Sequence, residues 1–166
     1  MTGSSSPSAA SIALLADPTV TLVVGGTGSQ RDALAALARG RGLGERFQLV
    51  GALDEAGVDA WMRDAHVVVM PSRREAFGIV ALEAWRAGTP LVATSHGGPS
   101  TFVEPGVNGL VVDPRDTGAL AATLRRVLDD HALSASLGAA GQAAVRAYTW
   151  TRVARDYAAI YSSVAG

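Results

Sequence analysis

Two carboxylates eight positions apart, Glu75 and Glu83, bracket a turn and the start of a helix in Pro71-Ser72-Arg73-Arg74-Glu75-Ala76-Phe77-Gly78-Ile79-Val80-Ala81-Leu82-Glu83-Ala84. Glu75 falls in the turn and Glu83 on the helix. The first backbone N–H groups of a helix have no intrahelical acceptor, and the positive end of its macrodipole lies there too. The interval between the two acids is therefore suited to an anion. Glu83 lies roughly 8–10 Å down the axis from the turn, at about 1.5 Å per residue. A ligand with hydroxyls at both ends and a diphosphate between them fits that spacing. A nucleotide sugar, with its sugar, pyrophosphate and ribose, has that shape.

The neighbouring residues carry plainer readings alongside. Ala81, Leu82, Ala84 and Trp85 surround Glu83, so its carboxylate belongs at an edge or in a pair. Gly78 weakens a helix start, and close approach of a phosphate or of backbone is a reason for it. Phe77 suits a ring docked on the core as well as a ligand contact. Arg73 and Arg74 suit a solvated turn or a pair with Glu75, or a partial counter-charge for a diphosphate. Gly25-Gly26-Thr27-Gly28 invites a dinucleotide reading, but the third glycine of that fingerprint is missing and no acid follows at the next strand end. A P-loop is excluded because Gly-Lys-Ser/Thr does not occur. The three histidines are scattered, so no metal site is expected. His66 opens a buried strand and reads as structural. His96 precedes Gly97-Gly98 at a strand end where ligands collect, as a phosphate neighbour or as a loop residue. His131 reads as a surface residue at a helix boundary.

The elements that must position these groups alternate. A short helix or helix end at 9–16 stops at Asp17-Pro18. Strands are expected at 19–24, 47–50, 66–70, 91–94 and 110–112. Helices are expected from a Ser29 cap to about 41, from an Asp54 cap to 63, and over 77–87, 116–129, 132–147 and 151–164, with a short one at 99–104. Gly88 and Pro90 end the acidic helix. Strands alternating with helices predict an α/β, Rossmann-like, doubly wound parallel sheet.

Composition bounds the rest. The chain has 166 residues, 48% of them apolar, and a net charge of −1. That length suits one domain with a real core, with no basic surface for nucleic acid or anionic membrane. Absence of cysteine excludes disulfides, thiolate metal sites and thiol catalysis. Apolar runs such as 67–70 fall far short of the ~20 residues of a membrane span. Residues 1–8 are Ser/Pro-rich and read as a disordered tail, and the run at 12–16 lacks the basic flank of a signal peptide. A cytoplasmic protein is expected.

The acidic segment resembles the E-x7-E motif of retaining GT-B glycosyltransferases, in particular glycosyltransferase family 4 (glycosyl transferases group 1). Leu22-Val23-Val24-Gly25-Gly26-Thr27-Gly28, Phe47-Gln48-Leu49-Val50-Gly51, His96-Gly97-Gly98-Pro99, residues 106–112 and Tyr148-Thr149-Trp150 are similar to that family's other landmarks, in the same order over about 10–164. The resemblance implies the C-terminal, donor-binding half of a GT-B fold and a nucleoside-diphosphate sugar as substrate, with no cofactor and no structural metal. It implies that Glu75 orients hydroxyls of the donor sugar and that Glu83 holds the ribose hydroxyls. Phe77, Gly78, Ile79 and Val80 would meet the sugar and the distal phosphate, and Leu53 would flank the nucleobase. A non-catalytic nucleotide-binding or scaffolding module is the alternative.

By this resemblance residues 9–147 form the nucleotide-sugar-binding domain and 148–166 a tail helix. The match begins after the strand and basic loop with which the family's domain opens, and that strand is central in the order 3-2-1-4-5-6. Three outcomes are open: the sheet closes over the gap, residues 11–16 substitute as a strand, or another chain supplies one. The tail helix carries Val153, Tyr157, Ile160, Tyr161 and Val164 in one apolar stripe. It must cover this domain's own core, pair with a second copy or a separate N-terminal GT-B domain, or stay exposed.

Overall fold

A computed structural model describes Leu15 and residues 17–164. The expected tail at 1–8 and most of the helix at 9–16 lie outside the described residues, although Leu15 is helical and buried. Five strands and six helices of regular length follow. The β-branched run yields β1 (Leu22–Gly25), and α1 (Arg31–Gly40) returns to β2 (Phe47–Gly51). Ser29 does not cap α1: Gln30 holds that position without a side-chain hydrogen bond. Asp54 does cap α2 (Glu55–Asp64), accepting the Gly57 N–H at 2.8 Å. Then come β3 (Val68–Met70), α3 (Ile79–Ala87), β4 (Leu91–Thr94) and β5 (Leu110–Val112). The chain closes with α4 (Thr117–Asp129), α5 (His131–Ala144) and α6 (Trp150–Val164). The expected short helix at 99–104 is a 3-10 turn, Gly98–Thr101. His66 is exposed ahead of β3, not within a buried strand.

All pairings are parallel, as expected of an α/β fold. β4 shows why the strand pattern is readable. All four of its residues are buried, and Val92 enters one apolar cluster while Leu91 and Ala93 enter the other. That is the period-two alternation of a strand covered on both faces. The first cluster, with Ala38, Leu43, Leu110 and Leu124, also receives Leu22, Phe47 and Val69. One core thus underlies β1, β2 and β3.

The sheet does not close over the missing position. Two sheets form instead, β1-β2 and β3-β4-β5, and β1 does not pair with β3. The only described residue of the 11–16 segment is helical, so among the described residues no strand fills the interval. α1 packs on the first cluster through Leu37 and Ala38, whereas α2 packs on the second through Met62.

The terminal helix settles one of its three options. No residue of α6 is buried, and Tyr157, Ile160, Tyr161 and Val164 are 58%, 58%, 69% and 81% exposed. The stripe does not cover this domain's core.

Candidate functional site

The site is built where β3 and β4 end. The chain leaves β3 at Met70, turns through 71–78 and enters α3. The expected helix start at Phe77 moves two residues on, because Gly78 sits in the left-handed region (φ 101°, ψ 54°) and serves as N-cap. Gly78 is needed for that φ and for space: a Cβ there would lie 3.0 Å from Pro99 Cγ and 3.3 Å from Met70 Cε. The protein's own side chains therefore explain this glycine.

The loop after β4 clasps the turn. Glu75 and Gly97 form a parallel bridge, and the Gly98 N–H donates to the Glu75 carbonyl at 2.9 Å. A Cβ on Gly98 would lie 2.5 Å from Phe77 Cα and 2.6 Å from the Ala76 carbonyl oxygen. The glycine pair thus lets two backbones touch, fixing Glu75, Ala76 and Phe77. Behind them stands a row of rings: Phe77 to Phe102 at 5.4 Å, Phe102 to Trp85 at 5.5 Å and Phe102 to Tyr148 at 5.7 Å. Phe77 is still 45% exposed, so it both docks on Phe102 and faces the mouth.

The helix start is open. The Ala81 N–H donates to the Gly78 carbonyl at 2.9 Å, while Ile79 and Val80 begin the helix with N–H groups that have no intrahelical acceptor. Both residues are exposed. Glu83 lies four residues after Ile79 and three after Val80, hence on their face, opposite the buried Ala81, Ala84 and Trp85. Helical side chains tilt toward the N-terminus, so its carboxylate leans toward the same mouth. Glu75 and Glu83 are both half-buried, and among the described residues neither carboxylate has an ion pair or a side-chain hydrogen bond. The pairing of Arg73 or Arg74 with Glu75 does not form; both arginines are exposed.

Leu53 stands at the other sheet. It lies over Gly25, where a Cβ would come within 2.9 Å of Leu53 Cδ1, and against Gly57. It marks the C-terminal ends of β1 and β2. An open hollow of about 500 Å³ lies elsewhere, lined by Glu55, Ala56, Asp59, Arg63 and Arg86. Arg86 reaches Glu55 at 3.2 Å and Asp59 at 4.0 Å, and Arg63 reaches Asp59 at 2.7 Å, so its charges satisfy one another. Among the described residues no group of three or more His, Asp or Glu could hold a metal ion.

One pair beside the site was not anticipated. His96 Nε2 lies 3.1 Å from Asp113 Oδ1, at the ends of β4 and β5. The contact is close but poorly directed for a hydrogen bond, and Nε2 is shielded from solvent. No spacing signal announces it, because 16 residues, a 3-10 turn among them, separate the two positions. The Asp113 carboxyl is held below the ordinary carboxylate range, first by the Arg115 N–H at 2.9 Å, against partial desolvation, with His96 adding a smaller pull. A depressed carboxyl stabilises the fold above its unfolded value of about 3.9 and loses that contribution as pH falls through the lower folded value. Asp113→Asn is therefore expected to flatten the acid limb of stability, read from urea melts at about pH 5 and about pH 3. An unchanged acid limb would remove Asp113 from this role.

Comparison with known proteins now places the chain. The profile of "Glycosyl transferases group 1" matches residues 8–144, and the chain belongs to that family. It is 40% identical over 145 residues to glycogen synthase of Mycobacterium tuberculosis, covering 87% of this chain and 35% of that protein. The chain thus spans about a third of the length of this curated relative. Anabaena Alr3699/HepE in complex with UDP-glucose superposes with TM-score 0.84 at 27% identity, over 94% of this chain and 44% of that one. The C-terminal domain of a glycosyl transferase group 1 family protein (LpcC) from Francisella tularensis superposes with TM-score 0.74 at 27% identity, over 84% and 75%. The α/β fold with parallel sheets is that of glycosyltransferase structures. No helix among the described residues is long and apolar enough to cross a membrane.

Proposed function

We propose that this chain is the donor-binding part of a retaining GT-B glycosyltransferase of family 4, with residues 9–147 as the binding domain and 148–166 as its tail helix. The observation that carries the reading is the pair of carboxylates on either side of an exposed helix start, neither with an ion pair or side-chain hydrogen bond among the described residues. Glu75 accepts hydrogen bonds from hydroxyls of the donor sugar and positions the anomeric carbon. The Ile79 and Val80 N–H groups receive the distal phosphate and stabilise the charge that develops on the leaving diphosphate. Phe77 and Gly78 border the sugar, Glu83 accepts from the ribose hydroxyls, and Leu53 flanks the base from the end of β2. The anomeric carbon–phosphate oxygen bond breaks, and an acceptor oxygen bonds to the same face. No cofactor or metal enters this reading, since the nucleotide sugar is the substrate. An acceptor-binding GT-B domain completes the enzyme, in the cytoplasm.

UDP-glucose is the first donor to test, on the strength of the HepE complex. Titration calorimetry with UDP, GDP and ADP is expected to give weak binding. Helix-terminus contacts contribute only about 0.3–2 kcal/mol to anion binding, against roughly 1.5–3 kcal/mol for one charge-assisted hydrogen bond. Glu83→Ala removes a charge-assisted acceptor and is expected to weaken UDP binding by about 10- to 100-fold, with the melting temperature unchanged. Undiminished affinity in both Glu83→Ala and Glu75→Ala would end the donor-site reading. The open interval between β1 and β3 favours a second reading, a nucleotide-binding or scaffolding module without transfer. Sugar transfer on addition of an acceptor domain separates the two.

A further inference from the structure

We propose that His96 and Asp113 are a positioning pair for the donor mouth: their contact ties the Gly97-Gly98 clasp, and through it the Glu75 turn, to the end of β5, and a proton on His96 tightens the tie. The coupling stands on the backbone geometry, and its consequence for nucleotide binding rests on the donor-site reading. His96 lies between two fixed points. On one side the Ser95 N–H donates to the Val112 carbonyl at 3.0 Å, continuing the ladder between β4 and β5. On the other side Gly97 bridges to Glu75, and the Gly98 N–H donates to the Glu75 carbonyl at 2.9 Å. Between them the His96 N–H donates back to Thr94 Oγ1 of its own strand, at 3.1 Å. The ring, 3.1 Å from Asp113 Oδ1, is what fastens this step of the chain across to β5.

Asp113 is a firm anchor. Its Oδ1 accepts the Arg115 N–H at 2.9 Å and its carbonyl accepts the Asp116 N–H at 3.1 Å, so the turn after β5 sets the carboxylate independently of His96. Two acceptors do not face each other at 3.1 Å, so His96 Nε2 carries a hydrogen in either charge state. The second proton goes to Nδ1 and changes a dipole facing a carboxylate into a full charge. Nε2 is shielded from solvent and lacks a well-directed hydrogen bond, so the neutral ring is held loosely. Charging the ring draws it toward Asp113, and residues 96–98 follow. Both side chains are otherwise partly exposed, which keeps the gain modest.

The neighbouring charges leave this titration to one group. The turn after β5 holds Asp113, Arg115 and Asp116, and the turn after β3 holds Arg73, Arg74 and Glu75; β4, β5 and the 3-10 turn hold none. Asp116 caps α4 through the Ala119 N–H, and Arg73 and Arg74 are exposed. Asp113 is held below the ordinary carboxylate range, so it stays ionised at neutral and mildly acid pH. Among these side-chain types only an imidazole ordinarily changes charge between about pH 5 and about pH 8.

The experiment is an NMR titration of the whole free chain, with UDP-glucose added at the two ends of the range. The His96 ring protons give the midpoint. Protection of the Gly98 amide, corrected for intrinsic exchange, is expected to rise about two- to fivefold on the acid side of that midpoint. UDP-glucose, whose diphosphate does not titrate there, is expected to bind about two- to fivefold more tightly on the same side. Asp113→Asn keeps an acceptor for the Arg115 N–H and leaves the His96 charge in place; it is expected to abolish both responses while the ring still titrates. His96→Gln is expected to abolish them too, and decides the matter if Asp113→Asn does not fold. Gly98 protection that is level across the ring's midpoint overturns the proposal, as does a rise that persists in either variant. A pH-dependent affinity kept in Asp113→Asn would make His96 a direct phosphate contact and overturn it as well. Failure of UDP-glucose to bind at any pH would strike the donor-site reading alone, while Gly98 protection still confirms or refutes the tie.

Discussion

Trp85→Ala is expected to destabilise the fold by about 3–5 kcal/mol, the largest effect of any single side chain near the site. Trp85 is wholly buried on α3 and its Nε1 donates to the Asn108 carbonyl at 2.8 Å. Its indole lies so close to α5 that a Cβ at Gly141 would sit 2.8 Å from Nε1. Truncation removes the packing, leaves a cavity and leaves the Asn108 carbonyl without its donor. Phe102 loses its edge-on partner, and Phe77 rests on Phe102. A urea melt reads the stability, and nucleotide titration reads whether the loosened ring row disturbs the mouth. Trp85→Phe keeps most of the volume and is expected to cost about 1–3 kcal/mol, chiefly through the orphaned carbonyl. A loss under about 1 kcal/mol for the alanine variant would mean that α3 is held by something else.

Gly97→Ala is expected to cost about 2–4 kcal/mol and to displace the Glu75 turn. Two effects add. The backbone of Gly97 (φ 91°, ψ −148°) lies in a region open almost only to glycine, which costs of order 1–3 kcal/mol for another residue. The new Cβ would also press on the Glu75 carbonyl group, 3.0 Å from its carbon and nearer still to its oxygen. Overpacking of that kind costs typically 1–3 kcal/mol. Part of the strain can be relieved by moving the turn, so nucleotide affinity is expected to fall along with stability. Gly106→Ala is the control: φ is +81°, but nothing lies within 4 Å of its Cβ position, so only the backbone penalty of about 1–2 kcal/mol remains. Equal melts for the two variants would remove the clasp from the account of the site.

Much of the architecture was legible because its signals are local. β4 and β5 appear at their expected residues, since an apolar run bounded by glycine and proline leaves little choice. Asp54 and Asp116 cap their helices through bonds three residues long, to Gly57 and Ala119. Ser29 misled because a suitable side chain beside a glycine-rich turn does not determine which residue the helix starts on. Phe77 misled by two positions because Gly78 adopts a left-handed conformation that propensity cannot register. The continuous apolar run after His66 suggests a strand that includes it, but the strand begins only at Val68.

What the amino-acid order alone determined is the spacing of Glu75 and Glu83, the helix between them and the alternation of strands with helices, all set by contacts within a few residues. Only the tertiary structure decided that β1 and β3 stay apart, that the stripe on α6 faces solvent, and that Gly97-Gly98 exist to admit the backbone of a turn twenty residues earlier. Those outcomes depend on which distant segments meet, and hydrogen-bond pairing and burial between distant segments leave no periodic trace along the chain. The donor-site reading needs both kinds of information: the acids come from local order, and their rigid placement from the clasp.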